Sequence, residues 1–252
     1  MTSVLPRTMG VLSLLVGRAD GLTLGEIAAK LDIPKSAAHR TLADLIDLGL
    51  VAQERLQGRY HLGLRFISLA LTQLENIPPA AVAGPVLDRL AKATGELARF
   101  GLPDGDRIVW VAKRQGSHGG LRFDSDSGGA AKLIRTSTGL AWLSTMPEGR
   151  ARALIESEGF DDLENYGPEG PSTLEEALAG VSVVRESGFS FTDSTWELGI
   201  AALAVPVGHP ALGVLVVAGP SVRLPRERAL ELVPVVRAAA EELERAVVAW
   251  SN

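Results

Sequence analysis

The stretch "IPKSAAHRTL", residues 33–42, gathers Lys35, Ser36, His39 and Arg40 in a chain whose formal net charge is −5. Ala38, Leu42 and Leu45 recur at i, i+4 and i+7, the spacing of one buried helix face. Ser36 and Arg40 are therefore expected to point outward, with Lys35 and His39 on the flanks. The polar cluster ends after about a turn and a half, and Asp44 and Asp47 follow it. A solvated helix face would mix signs and continue. A short basic cluster confined to a helix start fits an anionic partner instead, because the first free amides and the dipole favour negative charge there.

The flanking sequence gives this helix a setting. Val4 to Val16 reads as an amphipathic helix ended by a turn at Gly21, and Thr23-Leu24-Gly25-Glu26 fits a capping box opening a short second helix. Leu24, Ile27, Ala28 and Leu31 share one face of that helix. Asp32-Ile33 makes a tight corner, Pro34 suits the first position of the next helix, and Gly49 closes it. A hairpin is expected next, from Val51 to Arg55 and from Arg59 to Leu62 around Gln57-Gly58, with Tyr60 and Leu62 facing inward and Arg59 and His61 outward. Two helices joined by a short corner and followed by a hairpin describe a winged helix-turn-helix. Lys35 and Ser36 then suit phosphates, and Arg40 suits a guanine edge. Asp44, one turn later, would repel phosphates, so only the first half of the helix is expected to enter a groove. A plain Arg40–Asp44 pair at i, i+4 is the competing reading; the corner and the basic wing tip weigh against it.

The 252 residues suit two domains, and 46% hydrophobic content supplies a core. No apolar run approaches the ~18 residues of a membrane span. Pro6, Arg7 and Thr8 break the apolar N-terminus, which reads as a mature helix rather than a leader. With no cysteine, disulfides and thiolate chemistry are excluded and a cytoplasmic setting is expected. Residues 1–75 hold eight Lys/Arg against seven Asp/Glu, and the remainder holds seventeen against twenty-three. The acidic body is thus a poor nucleic-acid surface, and any such surface is local and N-terminal.

Taken together, "EIAAKLDIPKSAAHRTLADLIDLGLV" and "GRYHLGLRFISLA" resemble the IclR family of bacterial transcriptional regulators, and the likeness continues across nearly the whole chain. Asp32 stands where the family usually has glycine. The resemblance implies a winged-helix DNA-binding domain over residues 1–63, a linker helix and connection over 64–79, and an effector-binding and oligomerisation domain over 80–252. The fold class is therefore α+β, with a GAF-like antiparallel-sheet domain following the winged helix. DNA contact carries over to Lys35, Ser36, Ala37, His39 and Arg40 on the helix and to Arg55 and Arg59 on the wing. The implied partners are double-stranded operator DNA, a small-molecule effector and further copies of the chain, as a homodimer or dimer of dimers.

Beyond Ala80 the periodicity alone supports only α+β. Helical patterns cover Val82–Ala93, Thr138–Ser144, Arg150–Glu158, Leu174–Ser187 and Leu224–Trp250; strand-like runs cover Leu97–Leu102, Arg107–Lys113, Gly199–Val207 and Leu212–Ala218. Ser172-Thr173-Leu174-Glu175 reads as a second capping box. Chemistry is weakly signalled. His39, His61, His118 and His209 lack metal-ligand spacing, no GxSxG elbow occurs, and Asp104 and Asp106 flank Gly105 as in a hairpin turn. Neither an enzyme nor a cofactor or metal site is expected. The rivals are a metabolite-binding or enzymatic module using the winged helix for protein contacts, and a DNA-binding protein whose C-terminal domain only dimerises.

The family resemblance also implies an effector site. It falls on Ser137 and Thr138 in the loop "IRTSTGLAWL", on Asp193, and on the apolar lining positions Phe123 and Ile200. Three positions that are polar in the family carry Ala202, Val216 and Ala218 here. Each unpaired buried polar group costs about 1–3 kcal/mol, so the depleted site favours an effector larger or more apolar than a glyoxylate-like acid. An aromatic or lactone-type metabolite is expected, with Trp142 and Trp196 available to stack on it.

Overall fold

The computed structural model describes residues 3–117, 119–124, 132–161 and 163–250. The chain divides into two compact units, Met1–Asn76 and Ile77–Asn252.

The first unit is built on helices α1 (Val4–Leu15), α2 (Leu24–Lys30) and α3 (Lys35–Asp47), a hairpin of β1 (Val51–Gln53) and β2 (Tyr60–Leu62), and α4 (Leu64–Glu75). Val11, Leu12 and Leu15 of α1 pack with Ile27, Leu42, Leu45, Val51 and Tyr60 into one core. The capping box of α2 is complete, with the Thr23 hydroxyl accepting from the Glu26 N–H and the Glu26 carboxylate accepting from the Thr23 N–H. Asp32 turns the corner at φ 50°. That left-handed region explains why glycine suits the position, and why aspartate is among the few side chains to tolerate it. Pro34 is the N-cap of α3 rather than its first residue, and its carbonyl accepts from Ala37 and Ala38. In α4, Phe66 packs on the core, whereas Leu64, Ile67, Leu69 and Leu71 are exposed.

The second unit begins with α5 (Pro78–Thr94), followed by β3 (Leu97–Asp104), β4 (Arg107–Gln115), α6 (Ser137–Leu143), α7 (Glu148–Glu158), α8 (Leu174–Ser187), β5 (Ser190–Asp193), β6 (Ile200–Val207), β7 (Gly213–Pro220) and α9 (Arg226–Trp250). Most of the proline-rich "NIPPAAVAGP" is thus helix rather than connection. Pro78 and Pro79 occupy the first helical positions, where a missing N–H costs nothing. The five strands form one antiparallel sheet in the order β4-β3-β7-β6-β5. Its two faces carry separate cores. Ala98, Phe100, Leu203, Leu215 and Val217 pack against residues of α5 and α9, while Ile108, Ala204, Val214 and Val216 pack against α6, α7 and α8. Central β7 is buried along its whole length, which explains its unbroken apolar reading. Asp104 and Asp106 do flank a β3–β4 hairpin turn, each ion-paired, with Arg107 and Arg150 respectively. The N-cap of α8 lies one residue later than its sequence suggests, and the reciprocal bond goes to the residue before it. Thr173 is the N-cap, accepting from Glu176, whose carboxylate reaches back to the Ser172 N–H and hydroxyl.

Candidate functional site

Helix α3 presents two unlike sides. Ala37, Ala38, Thr41, Leu42 and Leu45 are buried, and Lys35, Ser36, His39 and Arg40 are exposed. Ala37, assigned above to DNA contact, has only 7% of its surface exposed and packs inward. Its carbonyl accepts from the Thr41 hydroxyl, so the buried stripe is one column wider than the i, i+4, i+7 pattern shows. No ion pair joins Arg40 to Asp44 among the described residues. The solvated-pair reading therefore lacks its contact.

The wing differs from expectation in one respect. Arg55 and Leu56 stand exposed at its tip, but Arg59 turns back toward the body of the unit. It donates to the Gly21 carbonyl at 3.2 Å and lies 3.6 Å from the Glu26 carboxylate. Arg59 lies just before β2, and a period-two pattern carries no sign of the pull of a nearby carbonyl and carboxylate on a long cation. Glu26 is held below the usual carboxylate range, mainly by the Thr23 backbone N–H and then its hydroxyl, with a smaller pull from Arg59. Arg59 thus ties the hairpin to the start of α2.

In the second unit, the sheet face under α6 collects several of the expected effector residues. Ala202 pairs directly with Ala218, and Val216 lies opposite Ala204 in the next row. Ile200 begins the same strand face and is half-buried. Ser137 and Thr138 open α6 and are buried at 1% and 3% exposure. The loop before them is pinned from two sides. Glu158 accepts from the Leu133 and Ile134 N–H groups at 2.8 and 3.1 Å, and Thr136 caps the helix through the Gly139 N–H. Gly139 permits the fit, since a Cβ there would lie 2.1 Å from the Leu133 carbonyl oxygen.

Other expected residues lie apart. Asp193 pairs with Ala201, whose side chain belongs to the opposite core, and its carboxylate accepts from the Ser194 and Ser221 hydroxyls. It therefore organises the β5–β6 turn. Trp142 is packed in the core beneath α6. Trp196 packs on Tyr166 in a tilted pair, ring centroids 5.0 Å apart and planes at 44°, and Arg135 donates to the Gly167 carbonyl. Phe123 is half-buried, its carbonyl accepting from Gln115 of β4. His118 lies outside the described residues. No group of three or more His, Cys, Asp or Glu able to hold a metal ion occurs among the described residues.

Arg99 was not anticipated. It lies on the α6 face in a row running Ser190, Ala204, Val216, Arg99, Lys113 across the sheet. Only 5% of its surface is exposed, and its guanidinium sits over the Trp110 ring at 3.7 Å. Burial pulls its pKa down to about 10, against a pull upward from Asp124, so it stays charged at neutral pH. A charged residue inside "LARFG" was the available signal.

Family models match both parts of the chain. The IclR helix-turn-helix domain model matches residues 4–55, and that of the bacterial transcriptional regulator IclR C-terminal domain matches residues 71–245. The chain belongs to the IclR family. It is an IclR-type transcriptional regulator, with a helix-turn-helix DNA-binding domain and a C-terminal effector-binding domain. Among IclR relatives, the Pca regulon regulatory protein of Pseudomonas putida is 29% identical over 248 residues, covering 96% of this chain and 83% of that one. The crystal structure of an IclR regulator from Alicyclobacillus acidocaldarius superposes with a TM-score of 0.84 at 23% identity, covering 98% of this chain and 99% of that one. An IclR homologue from Microbacterium hydrocarbonoxydans, solved with 4-hydroxybenzoate, shares the fold at a TM-score of 0.77 and 20% identity, over 97% and 100% of the two chains. No helix among the described residues is long and apolar enough to cross a membrane.

Proposed function

We propose that two copies of this IclR regulator read a partly symmetric operator through the N-terminal turns of α3, and that a small, mostly apolar acid bound on the α6 face of the sheet controls this. The observation that carries the reading is the exposed Lys35, Ser36, His39 and Arg40 surface, on which Arg40 pairs with no described acid. Lys35 and Ser36 meet phosphates beside the helix start, Arg40 reads a base edge, and Arg55 adds a phosphate contact from the wing. Arg59 holds the wing in place behind it.

Dimerisation is supported by apolar side chains left exposed on α1 (Val4, Leu5, Met9) and on α4 (Leu64, Leu69, Leu71). A two-fold dimer would set two recognition helices one helical turn of DNA, or a multiple of it, apart. Ala202, Val216 and Ala218 supply an apolar floor for the effector, with the Ser137 hydroxyl buried at the start of α6. A coupling of about 1–3 kcal/mol between effector and DNA gives a roughly 5- to 150-fold response. The regulated genes on this reading encode breakdown of that acid, and the protein works in the cytoplasm with its DNA.

Arg40→Ala tests the reading face. Fluorescence anisotropy should show operator affinity falling by about 1–3 kcal/mol while affinity for random duplex barely changes, so that discrimination narrows. Equal losses on both duplexes would place Arg40 on a phosphate. No loss on either would remove α3 from the interface.

A further inference from the structure

The wing of the first unit ends in a turn held in shape by its own hydrogen bonds. The Glu54 N–H donates to the Arg59 carbonyl at 2.8 Å and the Gly58 N–H to the Glu54 carbonyl at 3.1 Å. The Gln53 side-chain amide donates to the Gly58 carbonyl at 3.1 Å. Below the turn, Leu22 and Tyr60 exchange backbone bonds at 3.0 and 2.8 Å, and Tyr60 is buried in the core. On this clamped tip stands Leu56, 93% exposed, more than any other large apolar side chain among the described residues.

A lone exposed leucine is ordinary on a protein surface; what singles this one out is its place. Arg59, three residues on, lies 3.6 Å from Glu26 in the first turn of α2. A Cβ on the neighbouring Gly25 would lie 4.0 Å from Lys35 Cε, at the start of α3. The root of the wing and the first turn of α3 therefore share one side of the unit, and the tip continues the surface on which Lys35 stands. Glu54 offsets the charge of Arg55, so the choice among duplex sites falls to the leucine. With α3 in the major groove, the duplex offers the tip an adjacent minor groove, where apolar side chains wedge against base steps. TA steps open most readily, and they lack the guanine 2-amino group that would obstruct an apolar tip on the groove floor.

We propose that Leu56 enters the minor groove beside each half-site as an apolar wedge and selects TA-rich sequence there. This rests on α3 reading the major groove, and it adds a determinant of operator sequence at base pairs that α3 does not touch.

Fluorescence anisotropy with the full-length chain tests this on operators selected from random duplexes by the unaltered chain. TA steps should recur about half a helical turn, roughly five base pairs, from the bases that Arg40→Ala ceases to discriminate. Replacing those T·A pairs by C·G pairs should weaken binding about tenfold. Inosine in place of guanine removes only the minor-groove amino group and should restore affinity. Uracil in place of thymine removes only the major-groove methyl and should change nothing. Leu56→Ser should bind all four duplexes equally, about tenfold more weakly than the parent binds its own operator, whereas Leu56→Met should keep the preference. Both substitutions fall on an exposed side chain and leave the fold intact. A Leu56→Ser variant that still prefers TA, selected operators without a recurring flank, or a flank effect that inosine does not reverse would overturn the wedge and leave the α3 reading standing. Selected duplexes that share no sequence at all would overturn both.

Discussion

Operator affinity should fall by about 10³–10⁵ between 50 and 200 mM salt, the response of a protein that neutralises roughly six to ten phosphates. The expectation is notable for a chain with a net charge of −5. Each displaced counterion belongs to a phosphate met locally, so the slope counts contacts and not the overall charge. Lys35, Ser36 and Arg55, the residues assigned to phosphates, are exposed in each copy, and the free amides at the start of α3 add to them. Two copies reach the required number. The acidic remainder sharpens the dependence at long range by repelling DNA elsewhere, which orients the approach. Anisotropy titrations at four salt concentrations measure the slope. A slope near zero would mean that the exposed cluster meets something other than a duplex.

The second large effect concerns stability. Glu96, 4% exposed, accepts from Arg223 Nε at 2.6 Å and Nη2 at 2.7 Å, a two-pronged pair joining β3 to the segment after β7. The packing is tight enough that a Cβ on Gly219 would fall 2.2 Å from the Glu96 carboxylate. Arg223→Met should destabilise the C-terminal unit by about 3–5 kcal/mol, because it strands a buried carboxylate. In a unit of this size that corresponds to a Tm lower by roughly 10 °C. Glu96→Gln should cost less, since the Arg223 side chain it leaves behind is 34% exposed and can be rehydrated. Calorimetric melting of both variants tests the order. Equal and small losses would show the pair to be a surface contact in energetic terms. Arg223 also donates to the Leu121 carbonyl, two residues before Phe123, so the same variant should loosen the β4 side of the effector site.

The sequence was most informative where local chemistry decides local shape. Thr23 and Glu26, the Asp32 corner and the Ala38, Leu42, Leu45 stripe each act within a few residues, and α2 and α3 follow from them. Strands β3, β4, β6 and β7 were legible as apolar runs. Four-residue β5 was not, being too short to show a period. Side-chain destinations set by distant partners were also hidden. Arg59 reads as an outward wing residue until Gly21 and Glu26 are seen beside it. The carboxylate of Asp193 likewise accepts from the hydroxyls of Ser194 and Ser221, the second of them a distant partner that no local pattern announces.

Arg99 illustrates a deeper difficulty. Both sheet faces are covered, so its apolar neighbours Ala98 and Phe100 give no contrast by which alternation could assign a direction. Only the register with Val216 shows which core it enters. The same covering explains why the loss of polar groups at Ala202, Val216 and Ala218 was visible in the sequence while the cation beside them was not.

The central claim is that the N-terminal turn of α3 lies in the groove of a duplex. The chain has no cysteine, so Ser36→Cys introduces a unique thiol at an exposed position that can carry an iron chelate for hydroxyl-radical cleavage. On an operator selected from random duplexes by the unaltered chain, cleavage should form two clusters, separated by one helical turn of about 10–10.5 base pairs or a multiple of it. A labelled chain that still binds this operator yet leaves it uncut would contradict the claim.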